Sequence, residues 1–287
     1  MKIADRDLDP FVLSRPAGAA LPLICDSPHS GVIYPRDFGS CLPMPILRSG
    51  EDTYVEELWQ AIPAAGGTLV AANFPRTYID PNRELSDIDA SMLDAPWPAE
   101  LRPSEKTRLG TGLIWRLARK QPMYARKLSV AEVENRIRRY HQPYHAALNR
   151  EIEAAYAKFG GVWHLNLHSM PANSYELLEI ETDKELADFV LGDHDGRTCA
   201  PALVDTIEAF LSGRGYVVTR NDPFKGVALI ARIGRPAENR HSLQIEVNRK
   251  LYMDEETYAK SPGFDALQQS LSLLSAHLAQ FVRSQLA

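Results

Sequence analysis

Two histidines that lie just past apolar runs are the side chains in this sequence best placed to do chemistry. His29 follows Leu23, Ile24 and Cys25 in "PLICDSPHSG" (22–31), and His168 follows Leu165 and Leu167 in "LNLHSMP" (165–171). Two imidazoles and one carboxylate are enough to hold a catalytic zinc, leaving a fourth position at which water is acidified. Asp52, in "GED" at the head of a predicted helix, is the expected carboxylate, with Glu51 beside it as the competitor. An aspartate before a helix also suits an N-cap, so both readings stand for Asp52. His164 shares a strand face with His168 but lies roughly 13 Å away along it, too far to share an ion, and reads as structural. His141 and His145 are four apart, and on an unbroken helix would share a face. They lack the glutamate of a zinc-binding HExxH pair and Pro143 interrupts them, so they are expected to line the substrate site instead.

Glu246 stands between Ile245 and Val247 in "LQIEVNR", which turns its carboxylate to the opposite side of a buried strand. A buried carboxylate needs a partner, a metal or a bound water. A general base beside an activated water meets that need, and so does an ion pair with Arg249 or Arg83. Arg76, Arg83, Arg232, Arg235 and Arg240 lie near the motifs and are candidate holders of a substrate carboxylate, Arg83 being best placed directly after Asn82 and the other four reading equally as solvated surface charge. His194 and Arg197 in "GDHDGR" read either as a substrate loop or as an ordinary Asp-Gly turn.

The elements that must position these groups alternate between strand and helix. Strands are predicted over 22–26, 68–74, 161–171, 216–221 and 242–252, and helices over 52–67, 201–215 and 264–286. A long apolar stripe predicts a helix over 130–159, kinked or split at Pro143. Residues 84–128 read as an elaborated loop or small hairpin. The sum is one α/β domain over 1–287, with a mixed, mainly parallel sheet and helices on both faces, where ligands gather at the strands' carboxyl ends.

Composition fits that picture. The 287 residues are 45% hydrophobic and 24% charged, and a net charge of −5 argues against a nucleic-acid partner. No apolar run approaches membrane-spanning length, and "MKIADRDLDPF" has acids where a signal peptide would be apolar, so a cytoplasmic location is expected. Cys25, Cys41 and Cys199 are widely spaced and read as reduced thiols.

Seven motifs, "DSPHSG", "EDTYVEELW", "FPRTYIDPNRE", "YHQPYH", "NLHSMP", "GDHDGR" and "QIEVNRKLY", occur in an order that resembles the N-formylglutamate amidohydrolases (deformylases) across about residues 20–260. That family is in turn distantly similar to zinc carboxypeptidases and aspartoacylases. The resemblance implies a phosphorylase/hydrolase-like α/β fold and hydrolysis of N-formyl-L-glutamate to formate and L-glutamate in histidine degradation. It implies a Zn2+ or similar divalent metal on His29, Asp52 and His168, with Asn82 and Arg83 holding substrate and Glu246 as base. Val32 stands where the carboxypeptidase pattern has its glutamate ligand, which is why the carboxylate is sought at Asp52. The substrate would be a small N-acyl amino acid. Other readings are a zinc amidohydrolase or carboxypeptidase acting on another N-acyl amino acid or peptide, and a non-catalytic module that binds acidic metabolites.

Overall fold

The computed structural model describes residues 2–3 and 8–286. Its main element is a seven-stranded sheet. The strands are β1 (Phe11–Ser14), β2 (Leu23–Ser27), β3 (Thr68–Ala72), β4 (Val162–Met170), β5 (Phe189–Gly192), β6 (Val218–Arg220) and β7 (Arg240–Asn248). Their order across the sheet is β6-β5-β7-β4-β2-β3-β1. The central strands β2, β4 and β7 are parallel neighbours, and β5 turns the sheet mixed by pairing antiparallel to β7.

By contact the chain divides into two compact units that alternate along the sequence. The unit made of Leu13–Ser27, Tyr54–Val70 and Asn149–Ala287 carries the centre of the sheet. Strand alternation gives its two faces opposite chemistry. Leu23, Cys25, Trp163, Leu165, Leu167, Leu243, Ile245 and Val247 point into one apolar core. That core is completed by α1 (Val55–Leu58), α2 (Ile62–Ala65), α5 (Pro201–Ser212) and α7 (Phe264–Gln285). Each leucine fully buried there contributes about 1.5–3 kcal/mol. The alternate positions Asp26, His164, Asn166, His168, Ser242, Gln244 and Glu246 are also buried, on the opposite face. Burying polar groups costs stability unless they are hydrogen-bonded, and on this second face His164, Asn166 and His168 bond with Asp26, Ser242 and one another while Gln244 donates to Glu246. α6 (Ala228–Ile233) packs on β4 and β7 outside the apolar core.

The other unit holds Pro28–Thr53 and Ala71–Leu148. Much of it is loop, organised around α3 (Val130–Arg136), whose Ser129 and Glu132 form a capping box. Arg136 at its end is buried and ties two loops to it by donating to the carbonyls of Phe38 and Tyr78, with its guanidinium over the Tyr78 and Tyr124 rings. Residues 84–128 contain a 3₁₀ turn (Ala90–Met92), a one-turn helix (Glu105–Arg108) and a two-residue hairpin (117–118 with 121–122).

Three expectations need correction. The helix over 52–67 is two single turns, because Tyr54 takes a left-handed conformation and Pro63 starts a second turn at Ile62. The break expected at Pro143 falls just ahead of it: the helical run over 130–159 passes through a π-helical turn (Ile137–His141) that joins α3 to α4 (Gln142–Phe159), and Pro143, which cannot donate back into that turn, is the second residue of α4. The last sheet strand stops at Asn248, whose side chain accepts from the Lys250 N–H to start a 3₁₀ turn.

Candidate active site

His29 lies two residues beyond β2 and is buried. Gly31 lets its loop run close to the chain after β3: a Cβ there would sit 2.2 Å from the Phe74 carbonyl oxygen. The glycine therefore serves close approach of two backbones, rather than a left-handed turn. His29 Nε2 is 2.7 Å from Asp80 Oδ1. The same oxygen accepts the Asn82 N–H at 2.8 Å, while Oδ2 faces Trp115 Nε1 at 3.4 Å and Arg83 at 3.7 Å. Burial works against ionisation of Asp80, but Arg83, His29 and Arg76 outweigh it and hold this carboxyl well below the usual range. An ionised carboxylate only accepts, so the His29 proton is on Nε2 and the lone pair is on Nδ1. The Arg76 guanidinium donates to that Nδ1 at 2.7 Å, and Asp52 Oδ2 lies 3.5 Å from it.

Asp52 is fully buried, and its N–H donates to the His29 carbonyl. It does not cap a helix: α1 starts after Tyr54, with no side-chain cap. Its competitor Glu51 is engaged elsewhere, accepting from Tyr34, Thr53 and Arg48 at 2.7, 3.0 and 3.1 Å. The neighbours thus divide between a structural carboxylate and one turned to His29.

His168 is on the polar face of β4, its Nε2 2.7 Å from Asn166 Oδ1. Asn166 donates to Asp26, which also bonds His164. That accounts for His164 as structural. Glu246 is in register with His168 on the neighbouring strand and accepts from Gln244 at 2.9 Å. One ligand atom from each of His29, Asp52 and His168 lies within 4.8 Å of the other two, and all three residues are buried. Among the described residues this is the group suited to a metal. Two imidazoles and a carboxylate suit zinc, and equally cobalt, nickel or iron.

The remaining candidates sort by position. Arg83 is fixed by donating to Thr111 O and Asn82 O, so the Gly-rich stretch 108–115 places this guanidinium. Asn82 is buried beside Asp80. Arg76 stacks over Trp115, 5.1 Å from the ring centroid. His141 bonds the Arg83 carbonyl from the π-helical turn and so braces that main chain, with the His145 ring beside it at 4.1 Å and tilted by 42°. Two further candidate arginines are exposed. Arg235 is exposed, paired with Glu238, and bridged to Arg240 at the amino end of β7, opposite the end that carries Glu246. Arg232 is exposed in the last turn of α6, with its carbonyl accepting from Arg235. The 193–197 loop folds on itself: Asp193 accepts from Gly196 N–H and Arg197 donates to His194. Asp80 is the residue that sequence reasoning missed.

A parallel-stranded α/β core with buried imidazole and carboxylate groups at its strand ends is the architecture of an α/β enzyme. The chain belongs to the N-formylglutamate amidohydrolase family, whose model matches residues 21–253. It is 27% identical over 242 residues to the N-formylglutamate deformylase of Pseudomonas putida, covering 82% of this chain and 83% of that protein. The crystal structure of N-formylglutamate amidohydrolase from Ralstonia eutropha JMP134 superposes with a TM-score of 0.96 at 59% identity, over 97% of this chain and 100% of that one. The gene product Atu2144 from Agrobacterium tumefaciens, at 18% identity and a TM-score of 0.64, shares the fold. Among the described residues, no helix is long and apolar enough to cross a membrane.

Proposed function

We propose that this protein hydrolyses N-formyl-L-glutamate to formate and L-glutamate, and that a divalent metal held by His29, Asp52 and His168 takes part. The observation that carries the reading is the convergence of those three buried ligand atoms within 4.8 Å in a chain of this family. When bound, such a metal supplies Lewis-acid polarisation of the formyl carbonyl and acidification of water. The chain's own groups do the rest. Glu246, held by Gln244, takes the proton of the attacking water and returns it to the leaving amine. Arg83 and Arg76 are the anchors for the carboxylates of the glutamyl group, since both lie at the His29–Asp80 pair. Asn82, fixed by Asp80, orients the substrate beside Arg83. The substrate is a small N-acyl amino acid, and the whole chain acts as one hydrolytic domain in the cytoplasm, in histidine breakdown.

The test is an assay of formate release by metal-loaded protein. N-formylglutamate should be turned over in clear preference to N-acetylglutamate, and Glu246→Gln should lose about 10²–10⁴-fold in kcat while keeping its zinc. Turnover of acetylglutamate with none of formylglutamate would overturn the substrate. An unchanged metal content in a His29→Ala, His168→Ala double variant would overturn the metal site.

A further inference from the structure

The buried polar face of the sheet contains an unbroken file of hydrogen bonds that reaches His168. Ser242 Oγ meets His164 Nδ1 at 2.7 Å, and His164 Nε2 meets Asp26 Oδ1 at 2.9 Å. Asp26 Oδ1 also accepts from Asn166 Nδ2 at 2.8 Å, and Asn166 Oδ1 meets His168 Nε2 at 2.7 Å. The members come from β2, β4 and β7, and strand register places them side by side: Asp26 opposite Asn166, and His164 opposite Ser242. All five side chains are at most 3% exposed.

The direction of the bonds follows from the Asn166 amide. Its NH₂ donates to Asp26 Oδ1, which leaves its carbonyl oxygen to face His168 Nε2. That oxygen only accepts, so His168 must carry its proton on Nε2 and keep the lone pair on Nδ1. On the other side, His164 donates Nε2–H to Asp26 and accepts the Ser242 hydroxyl at Nδ1.

We propose that Asp26, acting through Asn166, is a positioning residue that sets the tautomer and ring orientation of His168, so that Nδ1 is the nitrogen offered to the metal. This rests on the metal reading above and adds to it residues that touch neither metal nor substrate. Outer partners of this kind typically change metal affinity 10–100-fold when removed. Asp80 does the same for His29 directly, whereas Asp26 reaches His168 through an amide. Asn166 therefore has to be an amide, with a donor for Asp26 and an acceptor for His168.

The experiment reads imidazole nitrogens in the full-length, zinc-loaded chain labelled with ¹⁵N-histidine, with His168 assigned by loss of its signals in His168→Gln. The expected spectrum shows a proton on Nε2 of His168 and the zinc shift on Nδ1. Zinc on Nε2, with the proton on Nδ1, overturns the inference and leaves the metal reading standing. A spectrum in which neither His168 nitrogen responds to zinc overturns both. Asp26→Leu and Asn166→Leu are then titrated with zinc against a chromogenic chelator. Each should lose about 10–100-fold in zinc affinity, and the double variant no more than the worse single, as expected of two links in one chain. Additive losses, or wild-type zinc affinity in either folded variant, overturn the inference.

Discussion

Asp80 shows how one carboxylate organises several functional groups at once. It accepts from His29, from the Asn82 backbone and from Trp115, and it neutralises Arg83. It thereby leaves the His29 lone pair on Nδ1, where Arg76 donates at 2.7 Å and Asp52 lies 3.5 Å away. Asp80→Asn keeps an acceptor but removes the charge that anchors the proton on Nε2. The expected result is a loss of about tenfold to a hundredfold in zinc affinity by chelator competition, with unfolding still cooperative. Affinity equal to wild type would show that His29 is oriented by packing alone. The residue was hard to read in the sequence because "IDPNR" looks like a turn, and Asp80 does make that turn's bond to Asn82. Its second role is set by a histidine 51 positions away. The signal available was an acid wedged between the apolar Tyr78–Ile79 pair and the Asn82–Arg83 pair. His29, His168 and Glu246 were easier, since each interrupts or follows an apolar alternation that gives its position a face.

Elements follow the same division. Alternation in "WHLNLH" and "LQIEVN" made the central strands legible, because one face of each is a pure apolar core. The 52–67 stretch was not, since a helical spacing of Val55, Leu58, Trp59 and Ile62 is equally met by two single turns that put the same residues into the core. The π-helical turn is flagged in the sequence by Pro143, two residues downstream. It adds a residue to the turn and so rotates His141 relative to a regular helix, toward the Arg83 carbonyl. The start of α3, by contrast, is written plainly as "SVAE". Ser129 accepts from the Glu132 N–H, and Glu132 accepts from the Ser129 N–H. Ser129→Ala should cost about 1 kcal/mol in urea unfolding at neutral pH. The Glu132 carboxyl is pulled down to about 2, first by Arg126 and then by the Ser129 bonds. A folded-state value below the ordinary 4.5 means its contribution is present above that pH and lost as pH falls toward 2. The stability gap between wild type and Glu132→Gln should therefore close over that acid window. Because the glutamate is 34% exposed, the gap at neutral pH should stay near or below about 1 kcal/mol. A gap that stays constant down to pH 2 would assign it to packing.

At the scale of the whole molecule, the ligands proposed here stand at positions 29, 52 and 168, in segments that nothing in the linear sequence brings together. Each was visible singly as a polar group at the end of an element, but their separation of under 4.8 Å depends on sheet order and on where two loops run. The same separation has a thermodynamic consequence. A metal bound to three such segments binds the folded chain and not the unfolded one, so it stabilises by mass action. At a free zinc concentration a hundred times Kd the gain is about 2.7 kcal/mol. For a chain of this length that corresponds to a rise of about 4–5 °C in unfolding temperature. Scanning calorimetry of chelator-treated protein, with and without added zinc, should show that rise, and it should grow with the logarithm of zinc concentration. His29→Gln should unfold at its own temperature with less than about 2 °C of zinc response, because two remaining ligands bind too weakly to matter at that concentration. An equal zinc response in His29→Gln and wild type would place the stabilising ion elsewhere in the chain, and His29 would then owe its burial and its bond to Asp80 to structure alone.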